Sequence, residues 1–175
     1  MTTRRFTLCA LGPGDVCTSP ANATNATLIP SAALGLVAGD DVDAIAWNFP
    51  PIPPPRPPFG TFSLLFSVAP GAAGPGLPGV PDPGAIYSSA GGGSAALSIT
   101  SAALGLALGD DVDGFDESNT GSGGIILFSL ATGSPSLGGV FSPGDIFSSV
   151  GGGFGLLIGA ESPGCTRSGW RRAGA

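Results

Sequence analysis

Ser31-Ala-Ala-Leu-Gly-Leu-Val-Ala-Gly-Asp40-Asp-Val-Asp43-Ala-Ile45 returns 70 residues later as Ser101-Ala-Ala-Leu-Gly-Leu-Ala-Leu-Gly-Asp110-Asp-Val-Asp113-Gly-Phe115. A near-duplicate of this length within one chain is the mark of a repeat architecture, in which a unit too small to bury its own apolar face stacks on its neighbours. A second element lies upstream of each copy. Pro13-Gly14-Asp15-Val16-Cys17-Thr18-Ser19 matches Pro83-Gly84-Ala85-Ile86-Tyr87-Ser88-Ser89, which in turn matches Pro143-Gly144-Asp145-Ile146-Phe147-Ser148-Ser149. A third element precedes that one: Phe66-Ser67-Val68, Phe128-Ser129-Leu130 and a weaker Phe6-Thr7-Leu8. The order never changes, so the chain divides into repeat one (4–48), a connector (49–59), repeat two (60–116), an incomplete repeat three (124–165) and a tail (166–175). At 175 residues these units belong to one domain.

Each element has the period of a strand. Phe62, Leu64, Phe66 and Val68 fall on one face and Ser63, Leu65, Ser67 and Ala69 on the other, and Ile126, Phe128 and Leu130 repeat the alternation. The Pro-Gly of the second element opens a turn into a β-branched and aromatic run, and the triple glycines 91–93 and 151–153 supply the next turn. Further strands are expected at 96–100 and 155–159, then at 44–47 and 114–115, while Ser101-Ala-Ala-Leu reads as one helical turn capped by Ser101 and stopped by Gly105. The expected fold is all-β: three tandem units, arranged as propeller blades or as sandwich meanders, with helix confined to single turns near Ser31 and Ser101. Three blades are too few to close a propeller. Seven prolines in 49–59 form a stiff polyproline II connector at the crossover the repeats require; an SH3-type ligand centred on Pro55-Arg56-Pro57-Pro58 is the competing reading.

Composition removes most function classes. The chain has no His and no Lys, which excludes imidazole bases and metal ligands, Ser-His-Asp and Cys-His sites, the P-loop lysine and Schiff-base chemistry. A net charge of −6 argues against nucleic acid. Thirty-one glycines and 18 prolines raise the question of disorder, but 42% hydrophobic and only 10% charged residues are the reverse of that signature. Every apolar stretch is broken by Gly, Ser or Pro, so no membrane span is expected. Arg4 and Arg5 followed by a short apolar stretch have the order of a signal peptide, but Gly12-Pro13-Gly14 ends the stretch too early for a clear leader. The odd trio Cys9, Cys17 and Cys165 makes no complete disulfide framework, and its redox state stays open.

Chemistry is concentrated in the acids. Asp40, Asp41, Asp43, Asp110, Asp111 and Asp113 set three carboxylates in four residues twice over, the best candidates here for Ca²⁺, which takes six to eight oxygens, often from closely spaced loop carboxylates. The spacing is not that of an EF-hand. The competing reading is a turn whose Asp side chains accept backbone N–H groups. As a glycosidase pair, two of these acids would have to face each other across a cleft at roughly 5–9.5 Å. The glycine clusters lack the lysine of a phosphate loop and read as turns. Asn22 and Asn25 head two consecutive N-glycosylation sequons. All six arginines lie within the first 56 or last nine residues, leaving an uncompensated acidic middle, a polarity that could order subunits in a row.

Taken together, the Phe-Ser-Leu, Pro-Gly-Asp-Ile-Phe-Ser-Ser and Leu-Gly-Leu-x-x-Gly-Asp-Asp-Val-Asp elements resemble modules of bacterial secreted or cell-surface β-repeat proteins. That resemblance implies an extracellular or cell-surface structural protein. The expected function is a self-assembling subunit of a filament or surface layer, not an enzyme, with no cofactor and with itself as partner. The alternatives are a Ca²⁺-dependent or glycan-binding adhesion module and, more remotely, a carboxylate-only glycoside hydrolase.

Overall fold

A computed structural model describes residues 12–18, 26–48, 63–118, 125–150 and 152–159. The fold is all-β, built of antiparallel sheets with very little helix. β1 (Val16–Thr18) and β2 (Ala26–Ile29) make a two-stranded sheet. β3 (Ile45–Asn48), β4 (Ser63–Phe66), β5 (Ile86–Ser89) and β6 (Ala96–Ile99) follow one another in a four-stranded meander. β7 (Val112–Ser118), β8 (Ile125–Leu130), β9 (Ile146–Ser149) and β10 (Phe154–Ile158) make a second meander with the same order. Between sheets lie a 3-10 turn, Ser31–Leu34, and α1 (Ser101–Leu104), both ended by a left-handed glycine, and a further 3-10 turn spans Pro135–Leu137. Among the described residues helix is thus confined to single turns; the turn at Pro135–Leu137 corrects the expectation of turns near Ser31 and Ser101 alone, Pro135 at the first position presetting the φ of a helical turn. The connector 49–59 and the tail 166–175 lie outside the described residues.

Sheets and sequence copies are out of phase by one strand. The segment that closes repeat one becomes β3, which pairs with β4 of repeat two (Ile45 opposite Phe66), and the segment that closes repeat two becomes β7, paired with β8 of repeat three (Phe115 opposite Phe128). Each crossover therefore belongs to two sheets and ties them together. The cap of α1 also differs from expectation: Thr100, not Ser101, accepts the Ala103 N–H at 3.0 Å, because the N-cap precedes the first helical residue. Ser101 instead turns its hydroxyl to Asp82.

The sheets stack, and the two seams between them are filled by matching residues. One core contains Val16, Leu34, Leu36, Phe66, Val68, Leu77 and Tyr87; the other contains Ile86, Leu104, Leu106, Phe128, Leu130, Leu137 and Phe147. Phe66 sits 5.9 Å from Tyr87 and Phe128 sits 5.6 Å from Phe147, ring centre to ring centre. The sheet β3–β6 serves both cores, with Leu64 and Phe66 on one face and Leu65, Ile86 and Ala46 on the other. Close approach at the seams requires glycine. Gly105, at φ 83°, would place a Cβ 2.6 Å from the Gly153 Cα, and Gly35, at φ 84°, would place one 2.8 Å from the Gly76 Cα.

Candidate functional site

The two Gly-Asp-Asp-Val-Asp segments run from a crossover into the first strand of a four-stranded sheet, and their carboxylates divide into two roles. The first Asp of each is a clamp. Asp40, almost fully buried, accepts the N–H of Val37 in its own turn and of Ala73 in the next sheet's loop, both at 2.9 Å. Asp110, fully buried, accepts Ala107 N–H and Ser136 N–H, both at 2.7 Å, and the Ser136 hydroxyl. Every lone pair so engaged compensates the desolvation of a buried carboxylate. The turn reading of the sequence describes these two residues.

The remaining acids meet across the crossovers, because β3 lies against β7. Asp43, half-buried at the start of β3, is hydrogen-bonded through its carboxyl to that of Asp111, half-buried at the start of β7, with Asp41 and Asp113 close enough to act on the pair. Burial, then the charge of Asp43, then their shared hydrogen bond and the charge of Asp113 push the Asp111 carboxyl up to about 7. Burial also raises Asp43, with the charges of Asp41 and Asp113 adding to it while the hydrogen bond to Asp111 opposes them. Two carboxyls in contact resist ionising together, so the pair keeps a proton up to about neutral pH. The Asp111 Oδ1 atom is buried and has no hydrogen-bond partner. All acids except Glu161 fall among the described residues and all six arginines fall outside them, so no described cation relieves the cluster.

Of the six candidate Ca²⁺ ligands, the fold brings four together and commits Asp40 and Asp110 to backbone. Among the described residues no group of three or more Asp, Glu, Cys or His side chains is disposed to hold a metal ion. Beside Asp43 a cleft of about 160 Å³, bounded by Pro13, Asp15 and Ile45, is roughly half the size of the smallest ordinary ligand pocket. Asn22, Asn25 and the three cysteines other than the Cys17 backbone lie outside the description.

Residue-type reasoning overlooked Asp82. In repeat one, Asp15 ties the Pro-Gly turn to the crossover by accepting Ser31 N–H at 2.7 Å and Gly12 N–H at 3.0 Å; its backbone hydrogen bonds hold its carboxyl below the ordinary range. Repeat two has Ala85 at that position, and Asp82 takes over, accepting Gly84 N–H at 3.0 Å and the Ser101 hydroxyl at 2.6 Å. An acid lost at one position of an aligned repeat and gained three residues away was the available signal.

No family model matches the chain, and no curated protein or solved structure matches it either. No helix among the described residues is long and apolar enough to cross a membrane.

Proposed function

We propose that this chain is a structural β-repeat protein of the extracellular or cell-surface kind, a subunit that assembles with further copies of itself and performs no catalysis. The observation that carries the reading is the equivalence of the two crossovers. Ala33 O accepts Gly93 N–H at 3.0 Å, and 70 residues on Ala103 O accepts Gly152 N–H at 2.7 Å. Asp40 and Asp110 each clamp the following loop, and Asp41 O and Asp111 O each extend the next ladder by accepting Ala69 N–H (3.1 Å) and Ala131 N–H (2.8 Å). A joint made twice with corresponding clamps and ladder bonds is additive: each unit prepares a surface for a unit like itself. Blade-like tandem units of this kind, three in number with the first and last incomplete, are the finer form of the proposal. The lack of His and Lys throughout the sequence agrees with a non-catalytic role.

Sedimentation of the full chain over a wide concentration range tests the proposal. Mass rising with concentration, and ordered particles by negative-stain microscopy, is the expected result; a monomer at millimolar concentration overturns it. A Ca²⁺-dependent adhesive role is the second reading, for which the one favouring observation is the buried, unpartnered Asp111 Oδ1 facing Asp43. It requires EDTA to lower, and added Ca²⁺ to raise, the melting temperature.

A further inference from the structure

We infer that the face of the β7–β10 sheet turned away from β3–β6 is the docking surface for a second copy of this chain, received in the same stacking order that joins the sheets within one chain. The inference rests on the proposed self-assembly and names the surface that performs it.

Position by position, the face repeats one that the chain itself covers. On the middle sheet, Leu65 is 4% exposed and Ser67 and Ile86 are fully buried, because β7–β10 lies over them. Leu127, Ser129 and Ile146 are the matching residues on the last sheet, identical in type, and all three are half-buried. They stand on the face opposite to Ile126, Phe128 and Phe147, which point into the core. The Ser67 hydroxyl donates to Val112 O of the next sheet at 2.8 Å, whereas the Ser129 hydroxyl makes no such bond to a sheet among the described residues. The residues that build the seam on β3–β6 are therefore present a second time with no described sheet upon them.

Continuity with the two seams selects the occupant. In both, the covering element is the next β unit of this chain, seated through apolar side chains and one crossover clamp, so the partner that fits the repeated surface is another such unit. Charge points the same way. Asp116, exposed on β7 opposite Leu127, stands where the middle sheet has buried Ala46, so the rim of this face is acidic. The chain's cations lie in its terminal segments and connector, with Arg4 and Arg5 just ahead of the first sheet. The cations that a second copy carries in those segments are opposite in sign to the acidic rim. Because the contact joins unlike surfaces, it propagates instead of closing as a two-fold dimer.

The test compares full-length wild type, Leu127→Glu, Ser129→Arg and Leu156→Glu by sedimentation, with melting curves as a check on folding. Leu127→Glu and Ser129→Arg are expected to weaken association by about tenfold or more while the protein still melts cooperatively. Leu156→Glu, on the outer strand β10 where the side chain is 48% exposed, should leave association within about twofold. Should Leu127→Glu fail to fold, Ser129→Arg carries the test, since it replaces a half-buried polar residue. Association of wild type that neither face variant weakens overturns the inference and leaves self-assembly standing through another surface. A wild type that never associates overturns both. If it does so while the β8 and β9 amides exchange as slowly as those of β4 and β5, the occupant is the chain's own segment beyond residue 159.

Discussion

The strands β4 and β8 carry nearly the same sequence element, yet β4 is buried along both faces and β8 along one. In β4 the run Leu64, Leu65, Phe66 is fully covered, since the middle sheet has a neighbour on each side. In β8 every second residue is buried, and Ile125, Leu127 and Ser129 are wholly or partly open. The alternation written into the sequence is thus a statement about pleat, and the depth to which each face is buried is a property of the stack. A Leu on such a strand acquires its energetic weight from the sheet that lands on it.

The sharpest way to break this comparison is to truncate the same residue in both sheets. Leu65→Ala removes a side chain packed between the β3–β6 and β7–β10 sheets and should cost about 2–5 kcal/mol through lost burial and a cavity that close packing cannot fill. Leu127→Ala in dilute protein should cost about 1 kcal/mol or less, because solvent already reaches that site. Chemical denaturation of both variants measures the difference. Equal losses would mean that the outer face is covered in the monomer as thoroughly as the inner one.

A second contrast sets Asp110 against Asp111, adjacent residues with opposite treatment. Asp110 has its oxygens engaged by N–H and hydroxyl donors, whereas Asp111 faces Asp43 with one oxygen unpartnered. The folded chain holds the Asp111 proton up to about pH 7, while an unfolded Asp releases it near 3.8. The folded state therefore binds the extra proton between these values, so stability is greatest below about pH 4 with respect to this group and is lost as pH rises through 7. Asp15 acts in the reverse sense, its contribution being lost as pH falls through its lowered value, below the window in question. Solvent reaches the Asp43–Asp111 pair, so the effect should be about 1 kcal/mol, a fall in melting temperature of about 2–4 °C from pH 5 to pH 8. Asp111→Asn should flatten that slope; an unchanged slope in the variant would assign the proton elsewhere.

Much of this was legible from internal comparison of the chain. Most strands, the glycine turns and the helical turns at Ser31 and Ser101 follow from period-2 alternation and from glycines where φ must be positive, as at Gly35 and Gly105, whereas β2 and the turn at Pro135–Leu137 carry no such pattern. Three further things were not legible, each for a physical reason. The strand exchange that gives β3 to the sheet of repeat two is decided by pairing across the connector, which local periodicity does not register. The split of each acidic triplet into a clamp and a seam residue depends on which oxygen meets a loop of the next unit, as Asp40 meets Ala73. The Asp43–Asp111 pair joins residues far apart in sequence through the packing of β3 on β7. Spacing alone treated all six carboxylates as one kind.

The smallest effect separates the two crossovers themselves. Both follow an extended residue and both end at a left-handed glycine, but the first begins after Pro30, which offers no side-chain cap, and forms a 3-10 turn, whereas the second begins after Thr100, which caps Ala103 and forms α1. A cap hydroxyl satisfies one of the donors that a short helix leaves open, and at an exposed site its removal costs little. Thr100→Ala should lower stability by about 0.5 kcal/mol, and Thr100→Ser should restore nearly all of it, as read from paired denaturation curves. If the cap selects between the two geometries, amide exchange at Ala103 should quicken in Thr100→Ala while that at Leu106, whose N–H bonds the Ser101 carbonyl at 2.9 Å, stays as it was. Exchange that quickens equally at both would show that the crossover is held as one block by the Asp110 clamp and Gly152, with the cap contributing nothing of its own.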